Sequence, residues 1–169
     1  LEASENNAMP PAEEILFAQR LIASGLSFLQ GHVKDIKITC VCSSGNHGRS
    51  SRDYRYATEW GNSFETLMYM SLKQQFPAIN FLIERGYNTY VTIYGREVRF
   101  NHGHNVRYGG GVGGITIPLN KAIAGWDTAK KADLTLIGHF HQYASFKRFV
   151  CNGSLIGYNA FAVGIKAEY

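Results

Sequence analysis

Five of the six histidines fall in three short loops, each placed directly after an apolar or β-branched run. Leu134–Ile137 runs into Gly138-His139-Phe140-His141. Ile36–Cys42 runs into Ser43-Ser44-Gly45-Asn46-His47-Gly48-Arg49, and Glu97–Phe100 runs into Asn101-His102-Gly103-His104. A short apolar run stopped by such a loop predicts a strand, and the residues past its end leave the ladder. Imidazole is the commonest side-chain metal ligand, and neutral histidine suits Zn, Mn, Fe or Ni. One His-x-His pair alone is as well explained by two polar loop residues. Three strand ends that all deliver histidine form a pattern. Ligands of open α/β sheets bind outside the carboxyl ends of strands, so three ends at one crevice make a pocket rich in His and Asn.

The order Gly45-Asn46-His47, then His102-Gly103-His104, then Gly138-His139-Phe140-His141 resembles the metallophosphoesterase (calcineurin-like) family. The resemblance runs from about Ile36 to the C-terminus and includes Cys151-Asn152-Gly153-Ser154-Leu155, similar to a turn that often follows the last ligands of that family. Two family motifs, Asp-x-His and Gly-Asp-x-x-Asp, precede Gly-Asn-His in the family and are not found in this sequence. They carry three ligands, one of them the carboxylate that bridges two metals. The expectation is that residues 1–11 are a linker and residues 12–169 the C-terminal portion of one metallophosphoesterase domain, with the missing segment supplied in cis or as a separate chain.

The resemblance implies an αββα four-layer sandwich of the α/β class, with two mixed β-sheets and the N-terminal strands missing. It implies two divalent metal ions, Mn the first choice and Zn or Fe the alternatives. Asn46 would give an oxygen ligand and His102 and His139 nitrogen ligands to one metal, and His141 would serve the other. His47 would be the catalytic acid that protonates the leaving group. His104 has no ligand role in the motif and reads as a neighbour of the site or a surface residue. The family usually has Asp or Glu after Gly-Asn-His, whereas here it is Gly48, so another group must hold His47. Arg49, two residues on, is the candidate phosphate clamp, because the guanidinium fork pairs with phosphate oxygens.

The elements that must position these loops are legible in part. Pro10 and Pro11 with Glu13 and Glu14 suit a helix start, and Ile15, Ala18, Ile22, Leu26 and Leu29 recur at helical spacing up to about Gln30, with Gly31 as the stop. His32, just beyond, reads as a surface residue. Asn62–Glu84 reads as helical, kinked or split at Pro77. Its Phe64, Leu67, Met68, Leu72, Phe76, Ile79 and Leu82 read as core. Asn88–Tyr94 and Glu97–Phe100 predict a hairpin turning at Gly95-Arg96. Ile115–Lys131 predicts a helix interrupted by Pro118, with Trp126 in the core. Ser145–Cys151 and Phe161–Ala167 predict antiparallel strands. The glycine run Gly109–Gly114 matches G-x-G-x-x-G, but it follows a His-bearing loop instead of opening a βαβ unit, which excludes a dinucleotide site; it reads as a mobile loop beside the site.

A chain of 169 residues has room for one domain with a sizeable core. A net charge of +4 favours an anionic partner only mildly. The tally includes Arg49, Arg52, Arg55, Arg96, Arg99 and Arg107, and Tyr54, Tyr56 and Tyr108 share the loops, a mixture that permits a nucleic-acid strand. Cys40, Cys42 and Cys151 lie in apolar stretches and read as buried thiols of a reducing compartment, hence a cytoplasmic location. No apolar run is long enough to span a membrane. The reading is a metal-dependent phosphodiesterase or nuclease of phage type, with no membrane partner, acting on a phosphoester through a two-metal-activated water. By itself the sequence offers three ligands to one metal and one to the other, so weak binding of a single ion and little hydrolysis are expected of it alone. A small cyclic nucleotide is another substrate to weigh. The alternative is a non-catalytic nucleic-acid-binding or scaffolding domain, and the third reading is a structural α/β domain with incidental histidines.

Overall fold

A computed structural model describes residues 9–53, 55–155 and 164–165. The chain forms two compact units, Leu1–Arg85 and Gly86–Tyr169, each with its own apolar core. Helix and sheet are mixed in both, as an α/β chain requires.

In the first unit α1 spans Pro11–His32. Pro11 occupies its first turn, where its missing N–H costs nothing, and the Glu13 and Glu14 amides bond to Pro10 O. The helix runs through Gly31 and ends one residue later. Leu26 is buried, with Ile15, Ala18 and Ala23 half-buried around it, whereas Ile22 and Leu29 stay exposed. His32 lies on the surface, its ring stacked on Phe28. β1 (Thr39–Cys42) pairs in parallel with β2 (Asn80–Ile83), in register from Thr39 with Asn80 to Cys42 with Ile83. Between them lie a 3-10 turn, Trp60–Asn62, and α2, Phe64–Gln75.

The long helix expected over Asn62–Glu84 is thus a helix followed by a strand. α2 ends just before Pro77, whose ring would clash with the preceding turn. The Ile79 amide then bonds back to Phe76 O, and Asn80–Ile83 completes its backbone bonding on β1. Short apolar runs fit either period, and strand pairing settles this one. Met68, Leu72, Phe76, Ile79 and Phe81 are buried as core, while Phe64 and Leu67 are exposed.

In the second unit β3 (Thr89–Ile93) and β4 (Arg96–Asn101) form the expected hairpin. Its two-residue turn is Tyr94-Gly95, one position earlier than expected, because Ile93 pairs with Arg96. Both turn residues have positive φ, 49° and 75°, the geometry whose twist matches that of the strands. α3 (Thr116–Asp127) is uninterrupted. Pro118 falls in its first turn, where amides have no intrahelical partner to lose. β5 (Leu134–Ile137) lies parallel to β4, and β7 (Phe149–Cys151) parallel to β5. The single strand expected over Ser145–Cys151 is instead a tight hairpin of β6 (Ala144–Ser145) and β7, closed by Phe146 N donating to Phe149 O. The sheet order is β3-β4-β5-β7-β6. The strand expected over Phe161–Ala167 falls largely outside the described residues. Leu119, Ile123, Ile137, Phe149 and Cys151 form the centre of this core.

The parallel trio β4, β5 and β7 points its carboxyl ends to one edge of the sheet, and a buried cation ties the trio to α3. Arg99 on β4 is fully buried. Its Nε donates to Tyr90 Oη at 3.1 Å, Nη1 to Thr135 Oγ1 at 3.2 Å, and Nη2 to Asp127 Oδ1 at 2.6 Å and Lys130 O at 2.7 Å. Asp127 also pairs with Arg148. Arg99 therefore does not belong with the arginines available to an anionic partner. Trp126, expected in the core, is half-buried with the Arg99 guanidinium over its ring.

Candidate functional site

Three loops of the second unit meet at the carboxyl edge of its parallel strands. β4 ends at Asn101, whose Oδ1 accepts the Gly103 amide at 2.7 Å and whose Nδ2 donates to Asn88 Oδ1. This pinches the His102-Gly103-His104 loop against the strand end. The Gly138 amide bonds to His102 O at 3.1 Å, joining this loop to the one after β5. Gly103 has φ 111°, and a Cβ there would lie 2.9 Å from Gly138 O and 3.0 Å from His139 Cβ. Only glycine permits that approach. Across β7, the Asn152 amide bonds to Ile137 O, and the Asn152 side chain lies against Gly138.

The loop after β5 is strained. The Phe140 amide bonds to Gly138 O across His139, whose φ is 70°, and this tight γ-turn is the rarer form. His141 also has positive φ, 58°. Two left-handed histidines cost about 1–3 kcal/mol each, an expense that clusters at functional sites. The conformation buries Phe140 in the core and leaves His139 and His141 half-buried on either side of it.

The rings of His102, His104 and His139 are neighbours. Their centres are 5.1 Å apart for His102 and His104, 5.4 Å for His102 and His139, and 6.2 Å for His104 and His139. Two imidazoles sharing a tetrahedral metal place their ring centres about 5 Å apart. The pairwise spacings involving His102 therefore fit ligation. Among the described residues, no group of three His, Cys, Asp or Glu is arranged to hold a metal ion. The fit is that of a ligand pair and not of a closed set. His104 packs into the cluster, edge-on to Tyr87.

Asn46, His47 and Arg49 belong to the first unit, on the loop that leaves β1. α2 shapes this loop. Ser63 caps α2 by accepting the Thr66 amide. The Phe64 amide donates to Gly48 O at 2.8 Å, and Tyr69 Oη donates to Ser43 O at 3.3 Å. Arg49 makes an isolated bridge with Ser63, and its guanidinium turns back to donate to Asn46 O. The proposed phosphate clamp thus also braces its own loop. Asn46 is half-buried and His47 exposed. Glu65, which sequence reasoning passed over, reaches from the first turn of α2 to accept the Gly45 amide. Burial pushes its carboxyl up, and the Gly45 and Gly48 amides pull it part of the way back. Its only signal was a charge at the start of a helix, where acids are commonplace.

Arg52, Arg55, Arg96 and Arg107 are exposed, as are Tyr56 and Tyr108, while Tyr54 lies outside the described residues. The cysteines are free thiols, Cys42 and Cys151 buried and Cys40 half-buried. Burial pushes Cys42 up to about 12 and Cys151 up to about 11, so neither supplies a thiolate nucleophile at neutral pH. No described helix is long and apolar enough to cross a membrane.

Comparison with protein-family models found no match, and comparison with curated proteins found none either.

Proposed function

We propose that this chain carries part of the site of a metal-dependent phosphoester hydrolase, on a fold of the αββα sandwich type. The observation that carries the reading is the histidine cluster: His102, His104 and His139 at one sheet edge, with His139 and His141 held in strained backbone. Within the second unit His102 and His139 are the nitrogen ligands of one ion and His141 serves a second; the family resemblance alone adds Asn46 as an oxygen ligand. Mn is the first choice, with Zn or Fe as alternatives, because the donors mix imidazole with an amide oxygen. When bound, a pair of divalent ions supplies positive charge at the phosphoryl oxygens and a nucleophilic water at neutral pH. His47, exposed in the loop after β1, hands a proton to the leaving-group oxygen, the general-acid role that imidazole commonly fills. Arg49 is the clamp on a phosphoryl oxygen in this reading, because a guanidinium makes charge-assisted hydrogen bonds to phosphate. Exposed Arg52, Arg55 and Arg107 beside tyrosines suit a nucleic-acid phosphodiester.

Binding of Mn to this chain, followed by the paramagnetic spectrum of the free ion, tests the ligand set. His102→Ala and His139→Ala each weaken it by at least about tenfold, since even the outer partners of ligands cost that much. With the Asp-x-His and Gly-Asp motifs supplied in cis or in trans, Mn-dependent release of nitrophenol from bis(4-nitrophenyl) phosphate collapses in His141→Ala. Equal rates in the native and His141→Ala proteins overturn the reading.

A further inference from the structure

The loop that leaves β1 has glycine at the position after Gly45-Asn46-His47, and the space beside that glycine is filled. A Cβ at Gly48 would lie 2.7 Å from Glu65 Cγ, 2.8 Å from its Cδ and 2.9 Å from its Oε1. No real Cβ approaches that closely, so a side chain at 48 and the present place of Glu65 exclude each other. We propose that Glu65 is the positioning carboxylate of the Asn46-His47 loop, delivered from α2 into the space that an acidic side chain at position 48 would occupy.

Four observations make the placement a built one. Glu65 lies in the first turn of α2, whose start is anchored to the loop by the Phe64 amide on Gly48 O. Its Oε2 accepts the Gly45 amide, and the Gly48 amide turns to the same carboxylate. One carboxylate therefore gathers the amides on either side of Asn46 and His47, which fixes the backbone from which both side chains project. Gly45 is buried, so its amide has no water to fall back on, and a buried donor left without a partner is costly. Finally, the Tyr69 hydroxyl one turn further along α2 holds Ser43 O, so the same helix face supports the loop at both its ends. The loop's two functional residues are then positioned by a group far away in sequence instead of by the residue that follows them. That the loop serves phosphoester chemistry rests on the reading above; the exchange of one carboxylate position for another does not.

The test is a double-mutant cycle on the whole chain, read by amide hydrogen exchange at Gly45 and Gly48. Glu65→Ala speeds exchange at both by about tenfold or more, while the Leu72 amide in the middle of α2 keeps its native rate. Gly48→Asp alone also loosens the loop, because the two side chains compete for one space. Gly48→Asp placed in Glu65→Ala restores slow exchange at Gly45, because the new carboxylate takes over the vacated position. Glu65→Gln, which keeps the shape and one acceptor oxygen, falls between native and Glu65→Ala and guards against misfolding of the harsher variants. Native exchange in Glu65→Ala overturns the proposal. So does a double variant no better than the sum of the singles, or exchange that rises equally along α2, which would make Glu65 a helix residue only. Unchanged turnover in His141→Ala overturns the phosphoesterase reading and leaves this exchange result standing.

Discussion

Removing the Asp127 carboxylate should unfold the second unit's sheet far more readily than removing the arginine on its other side. Asp127 joins two cations of different standing. Arg99 is fully buried, with Asp127 Oδ1 at 2.6 Å as its counter-charge, whereas the Arg148 side chain is 42% exposed. Asp127→Ala strands the Arg99 guanidinium in the core with three neutral acceptors, Tyr90 Oη, Thr135 Oγ1 and Lys130 O. Leaving a buried charge uncompensated costs about 3–5 kcal/mol. Domain stabilities of about 5–15 kcal/mol make this a large share of the whole. Arg148→Ala removes a solvent-screened pair and costs less than about 1 kcal/mol. The assay is urea unfolding followed by Trp126 fluorescence in a Trp60→Phe background, so that the only indole left is the one beside Arg99. With a urea slope of about 2 kcal/mol per molar, Asp127→Ala moves the midpoint down by about 2 M and Arg148→Ala by less than about 0.5 M. Equal shifts in the two variants, or a shift below about 0.5 M in Asp127→Ala, refute the argument that the buried partner carries the interaction.

The same network sets an acid limit. Burial raises the Asp127 carboxyl, but hydrogen bonds from Arg99, the Ala132 amide and Arg148, with the Arg99 charge, outweigh burial and hold it below the usual value. A folded pKa below the unfolded one gives stability that is present above the unfolded value and lost as pH falls through the folded value, so Trp126-monitored stability falls in that window and the fall is shallower in Asp127→Asn. Gly103→Ala forces a Cβ against Gly138 O at a φ that only glycine adopts readily; it should lower stability by about 1–3 kcal/mol in the same urea assay and weaken Mn binding as much as His102→Ala does.

Local chemistry was readable where one short stretch decides its own fate. Pro11 and the acids after it start α1, Tyr94-Gly95 closes a hairpin within one residue of the expected turn, and apolar runs that end in histidine loops are strands β1, β4 and β5. The α/β class followed from these elements. What the sequence could not settle depends on partners remote in the chain. Asn80–Ile83 carries a spacing that suits a helix, and it is a strand because β1 offers it a backbone ladder. Arg99 has the composition of a surface cation, and it is buried because Asp127 and Lys130 O, about one helix away, supply its charge and acceptors. The proximity of His102 to His104 was implicit in their spacing, but the place of His139 beside them required β4 and β5 to pair in parallel, bringing their carboxyl ends to one edge. Glu65 reaches Gly45 only because α2 packs back on the loop after β1. Side chains twenty residues apart share no local signal; folding alone brings a carboxylate to the glycine that leaves room for it.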